Sequence, residues 1–179
     1  MPRLAAEHHD DALPMEEPSE IIKTLLDIIY PRATDPVLPF VSFAFVRRLL
    51  RAAEKYDLER VHHYVRLLTL TRPFLSKPLE VYSLACMFGW AEDAHRISFQ
   101  TLNLDLSSPV HADILESLDS ASLYKLFQVR WRIKEEVTEA MEMLKRRHEN
   151  EEWGCDCGSN LLDDEEWDCL HRLIRGEFG

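Results

Sequence analysis

Two stretches of this protein carry the same punctuation. Ala53-x-x-Tyr56-Asp57-Leu58 and Ala85-x-x-Phe88-Gly89-Trp90 each run from a small residue through an aromatic and a turn-former to an apolar residue. Each stands between two segments with apolar residues at helical spacing, so each reads as the tight turn of a helical hairpin. A sequence that reverses direction twice in this way must draw its core from helices.

The flanking periodicity fills in the elements. Ile21, Ile22, Leu25, Leu26, Ile28 and Ile29 predict a helix opened by Pro18 and stopped by Pro31, with Glu16, Glu17 and Glu20 at the positive end of its dipole. The three prolines Pro31, Pro36 and Pro39 read as a loop. A second helix is predicted over 40–56 with Phe43, Val46, Leu49, Leu50 and Ala53 buried. A third starts near 59 and carries Val61, Tyr64, Val65, Leu67 and Leu68. Pro73 and Pro78 bracket a loop, after which helices over 79–88 and 91–102 form the second hairpin, with Gly89 as the C-cap of the first.

Further on, 103–108 is a polar loop and 109–117 a short helix, and Ser120 reads as the N-cap of a helix reaching Asn150. Leu123, Leu126, Phe127, Arg130, Trp131, Ile133 and Val137 mix an apolar stripe with charge, so the first half of that helix is expected to pack on the hairpins. The second half keeps Met141, Met143 and Leu144 and is expected to project or to support a partner contact. Residues 154–160 break it, and Asp163-Asp164-Glu165-Glu166 opens a last short helix through 175.

The expected fold class is therefore all-α: stacked helical hairpins with a long C-terminal helix. Residues 37–41 and 12–15 are the only places for a short residual strand. The expected organisation is a disordered acidic leader over 1–12, a helical domain over 13–118, the long helix over 119–152, and a Cys-containing tail with a short helix over 153–179.

Hydrophobic residues make up 46% and charged residues 30% of the 179, the balance of a folded protein rather than a disordered one. The formal net charge of -11 argues against nucleic acid or an anionic membrane as partner, because binding to either needs clustered Lys and Arg. The one basic cluster, Lys145-Arg146-Arg147-His148, is followed at once by Glu149, Glu151 and Glu152 and reads as a solvated helix end. The start, through His8-His9-Asp10-Asp11, lacks a secretory apolar stretch and is too acidic for a transit peptide. An intracellular location, cytoplasmic or nuclear, is the expectation, with the four cysteines as reduced thiols.

Chemistry has few footholds. Cys155-x-Cys157 and Cys169-x-His171 supply the ligand types of a structural zinc site, but a one-residue gap turns each pair apart, where zinc pairs usually leave two to four residues. The plainer reading is free cysteines in a tail, with no metal and no cofactor; a small zinc-binding regulator is the alternative. His62 and His63 are adjacent on a helix, so one is surface and the other partly buried, while His95 and His111 stand alone. With five glycines there is no Gly-x-Ser-x-Gly, phosphate loop or dinucleotide fingerprint. No catalytic residues and no enzyme activity are expected. Phe40, Phe43 and Phe45 cannot share one face, so at least one needs cover from another element or marks a binding surface.

Five segments together resemble a known family: the entry Leu13-Pro14-Met15-Glu16-Glu17-Pro18-Ser19-Glu20, then Leu25-Leu26-Asp27-Ile28-Ile29-Tyr30-Pro31, Ala52-Ala53-Glu54-Lys55-Tyr56-Asp57-Leu58, Leu84-Ala85-Cys86-x-Phe88-Gly89 and Leu123-Tyr124-Lys125-Leu126. In this order and spacing they are similar to the C-terminal half of a BTB/POZ domain of the divergent fungal type, continued by a BACK-like helical extension. Trp153 with Cys155 and Cys157 is loosely similar to tails of that family. The resemblance implies a non-enzymatic protein–protein interaction module, a protein partner of unknown identity, a possible homo-dimer, and in some members an adaptor role toward cullin-type ubiquitin ligases. It also implies a sheet-bearing first half that would precede this sequence. The expectation is an N-terminally shortened BTB-like protein, with a truncated gene product as the alternative.

Overall fold

The structure is a computed structural model, and it describes residues 15–30 and 42–150, with side chains through Arg146. The leader over 1–12, Phe40, the strand candidate at 37–41, all of the candidate at 12–15 but Met15, and the tail over 153–179 lie outside the described residues. Among those described, the regular structure is helical throughout and there is no strand. In sequence order the helices are α1 (Ser19–Ile29), α2 (Phe43–Lys55), α3 (Glu59–Thr69), α4 (Arg72–Leu75), α5 (Pro78–Met87), α6 (Ala91–Gln100), α7 (Ala112–Glu116) and α8 (Ser120–Asn150). Short 3₁₀ turns occupy Thr101–Asn103 and Pro109–His111.

The repeated punctuation is one capping motif used twice. At the end of α2 the Leu58 N–H donates to the Ala53 carbonyl at 2.8 Å and the Asp57 N–H to that of Glu54 at 3.1 Å. At the end of α5 the Trp90 N–H donates to the Ala85 carbonyl at 2.8 Å and the Gly89 N–H to that of Cys86 at 3.4 Å. Both are Schellman caps, which need one residue in the left-handed region: Asp57 has φ 53° and Gly89 φ 71°. Asp and Gly are among the few residues that tolerate this conformation. The apolar residue after each, Leu58 or Trp90, is also the N-cap position of the next helix. One turn thus ends a helix and starts its antiparallel neighbour, which is why the hairpins are so tight.

The protein divides into two compact units between Lys77 and Pro78. In the first, α1 lies against both α2 and α3. Ile21, Leu25, Ile28, Val46, Leu49, Leu50, Val61 and Val65 form its core, all under 4% exposed. The expected stripe of α2 holds from Val46 to Ala53, and Phe43 is half-buried. His62 is half-buried and His63 exposed, as adjacent helical positions require.

Ahead of α1, Lys55 Nζ lies 2.6 Å from Glu16 Oε2 and 2.9 Å from Glu17 Oε1, and the Tyr56 hydroxyl donates to the other Glu17 oxygen. The tyrosine hydrogen bond first, and the lysine second, hold the Glu17 carboxyl below its ordinary value.

In the second unit α5 is apolar nearly all round and buried nearly all round, with Leu79, Val81, Leu84 and Ala85 fully inaccessible. It packs along α6, which contributes Ala94, Ile97 and the buried Asp93 and Ser98. The Ser98 hydroxyl donates to the His95 carbonyl at 2.6 Å and that of Thr101 to the Ser98 carbonyl at 2.6 Å, so neither buried hydroxyl lacks a partner.

Three boundaries differ from those the sequence predicts, each for a local reason. The loop between Pro73 and Pro78 contains α4, with Pro73 in its first turn where no N–H is required, and it delivers Phe74 edge-to-face onto Phe43 at 5.5 Å. Four residues are too few to show a period, so the pattern hid a core aromatic that is 8% exposed. α2 begins at Phe43 because Ser42 caps it, its hydroxyl accepting from the Phe45 N–H at 3.2 Å. α8 is capped by Asp119 rather than Ser120: one Asp119 carboxylate oxygen accepts from the Ala121 and Ser122 N–H groups at 2.9 Å each. The ionised carboxylate takes two of the four orphan amides at the start of the helix and leaves Ser120 as the first helical residue.

A Cβ placed on Gly89 would meet nothing within 4 Å, so Gly89→Ala should cost only the backbone strain of the left-handed residue, about 1–2 kcal/mol by denaturant titration. Because the Glu17 carboxyl is lowered from 4.5, its contribution to stability is complete above that pH and is lost as pH falls through the lower folded value. Melting temperatures of Glu17→Gln and the parent protein should therefore differ above pH 4.5 and converge on acidification.

Candidate functional site

The second unit carries a groove of ≈ 560 Å³ between the α5/α6 hairpin and the first turns of α8. Three contacts place α8 there. Leu126 is fully buried. The Tyr82 hydroxyl donates to the Ser122 carbonyl at 2.7 Å. The Arg130 guanidinium donates to the Leu104 carbonyl at 2.9 Å and to that of Thr101.

The arginine sits where α6 and its 3₁₀ extension end: it adds a second donor to the Thr101 carbonyl, which already accepts from the Leu104 N–H at 2.9 Å, and supplies one to the Leu104 carbonyl, so its guanidinium caps that terminus from another helix. Burial lowers the Arg130 pKa and the nearby Asp105 carboxylate opposes that shift. Burial also raises the Tyr82 phenol, with its neighbour Cys86 as the next cause, so Tyr82 serves as a neutral hydrogen-bond donor.

Small residues form the hairpin side of the groove: Gly89 at the turn, then Ala91, Ala94 and Ser98 along α6. The opposite wall is Ser122, Lys125, Gln128, Val129 and Arg132 of α8. The last four stand at i, i+3, i+4 and i+7, a single helix face. Among the described residues no carboxylate lines the groove, whereas Lys125, Arg132 and His95 do. Arg132 reaches Glu136 at 3.4 Å one turn on, both side chains about 60% exposed, a pairing too solvated to hold the arginine. His95 packs edge-to-face on Phe99 at 5.1 Å. The Cys86 thiol is half-buried and outside any disulfide. Next to the lysine-bearing wall, Tyr124 and Trp131 are 57% and 52% exposed, both in ring contact, with Phe127 adding a second contact to Trp131.

A cleft of this size falls in the range that accepts a small ligand or a short stretch of peptide. Its charge attracts anionic groups, its small-residue floor admits close approach, and the exposed tyrosine and tryptophan are the residue types that anchor protein contacts.

The metal candidates Cys155, Cys157, Cys169 and His171 lie outside the described residues, as do His8, His9 and the acidic run from Asp163. Among the described residues no group of three or more His, Cys, Asp or Glu is placed to hold a metal ion, and no helix is long and apolar enough to cross a membrane. The sequence alone does not single out the groove. Its signal is the spacing of Lys125, Gln128, Val129 and Arg132, which shares a helix with the more conspicuous apolar stripe. Arg130 stands in that stripe as a charge among apolar residues, with no sign of the carbonyls it caps.

Comparison with protein-family models, with curated proteins and with solved structures finds no match to this protein in any of the three.

The seat of α8 is open to a direct check. Leu126→Ala should destabilise the protein by about 2–5 kcal/mol, the range for a fully buried leucine. Arg130→Met should remove both carbonyl partners and reduce stability by about 1–3 kcal/mol. Denaturant titration followed by far-UV circular dichroism reads both.

Proposed function

We propose that the protein is a non-enzymatic protein–protein interaction module of the BTB-like kind its sequence resembles, and that it receives an acidic segment of a protein partner in the groove along α8. The observation that supports this reading is the lining: Lys125, Arg132 and His95 face one cleft that no carboxylate of the described residues lines, in a protein whose formal net charge is -11. The net negative charge of the protein opposes anionic partners and Lys125 and Arg132 offset it at the groove, so charge favours docking there. Tyr124 and Trp131 beside it give an incoming segment aromatic surface to bury, which supplies affinity where charge supplies orientation. Oligomerisation and adaptor roles are both uses of such a module.

Selection from a random displayed-peptide library tests this with no partner assumed. Enriched peptides are expected to carry Asp or Glu beside an apolar residue. Their affinity should fall at least tenfold with Lys125→Glu/Arg132→Glu and should weaken as salt rises. Peptides without acidic bias, or with equal affinity for the double variant, would contradict docking in the groove.

A further inference from the structure

The face of α8 that walls the groove continues beyond it. Lys125, Val129, Arg132, Glu136, Glu139 and Met143 recur at alternating spacings of four and three, so they lie along one face of the helix. Arg132 is the last residue of α8 to line the groove. Past it Glu136 and Glu139 are exposed, and Met143 is 65% exposed. One face therefore changes sign along its length: it is cationic where α6 stands opposite, and acidic, ending in an apolar residue, where it meets solvent. The second half has the composition that suits the first.

We infer that the partner of the groove is a second copy of this protein. The exposed part of α8 from Glu136 to Met143 lies antiparallel along the groove of the other copy, and the other copy returns the same contact. This names the partner within the function proposed above and rests on that reading. A two-fold axis beside residue 134 sets Arg132 against Glu136 of the second copy, Val129 against its Glu139 and Lys125 against its Met143. The lengths agree, since Lys125 to Arg132 and Glu136 to Met143 each span seven residues, about 10.5 Å along a helix. Arg132 and Glu136 already stand 3.4 Å apart within one helix. The axis brings two such pairs together as four charges of alternating sign, a network where one exposed pair contributes little. The Lys125 stem gives the second copy's Met143 apolar cover, while its ammonium reaches toward the second copy's Glu139 one turn away.

Charge and closure select this direction. In-register parallel helices would set every charge beside its own copy. A parallel pair slid by eleven residues brings Lys125 to Glu136, but it leaves one groove unfilled and propagates as an open filament. The two-fold arrangement fills both grooves and closes.

Light scattering of the full-length protein over a range of concentrations tests this, using charge variants in pairs. The parent protein should be a dimer. Its dissociation constant should rise at least tenfold in Lys125→Glu/Arg132→Glu, which sets acids against acids, and in Glu136→Lys/Glu139→Lys, which sets cations against cations. All four side chains are exposed, so neither variant disturbs the core. An equimolar mixture of the two variants should recover the parent's association, because each groove then meets the opposite charge on the other variant. Misfolding cannot produce that recovery. Dimerisation unchanged in both variants, no recovery in the mixture, or assemblies that grow past two copies would overturn the inference. A monomeric parent protein also overturns it: if acidic library peptides still bind, docking in the groove stands with a different protein as partner, and if none bind, both readings fall.

Discussion

The Arg130 guanidinium, folded onto the carbonyls of Thr101 and Leu104, is the contact on which the arrangement of the second unit most depends. It caps the end of α6 and at the same time fixes where along α8 the hairpin stops. With Leu126 buried one turn earlier and the Tyr82 hydroxyl on Ser122 before that, α8 is pinned at three successive turns. Apolar burial gives most of the stabilisation, and the two hydrogen-bonded contacts set the register, since each gives a part-buried donor its acceptor at one position along α8. The groove is the space left between the pinned helix and the small residues of α6, so the same contacts that hold the fold also define the candidate site.

Economy of turns explains how so short a sequence reaches this arrangement. Each Schellman cap uses one left-handed residue to satisfy the carbonyls of the outgoing helix while its next residue opens the following one. Asp57 and Gly89 solve the same geometric problem with different side chains. The two caps therefore look alike in the bonds they make more than in the residues they use. The units they organise also differ in balance: α1 to α3 share burial evenly, whereas α5 is covered on nearly every side and leaves the outward faces to α6 and α8.

Much of this was legible because hydrophobic periodicity reports burial directly. Val46, Leu49, Leu50 and Ala53 occupy the interior that their spacing predicts, and the all-helical character follows from such runs. What stayed hidden depended on partners distant in sequence. Phe74 reads as loop because α4, at four residues, is too short for a period to repeat, and its contact with Phe43 makes it core. Asp119 rather than Ser120 caps α8 because a carboxylate accepts two amides at once, a difference in bonding that the ranking of capping residues does not resolve. The groove was hidden for a third reason: neither wall is unusual alone, and its character arises from placing a cationic face of α8 opposite a small-residue face of α6.

We propose that this opposition of faces binds an acidic segment of a protein partner. Backbone amide chemical shifts of isotopically labelled protein, followed during titration with an acidic, aromatic-containing peptide, test it most directly. The account predicts saturable shifts confined to Gly89, Ala94, Ser98, Lys125, Gln128, Val129 and Arg132 and their neighbours. Shifts centred on the first unit, or none at millimolar peptide, would contradict it.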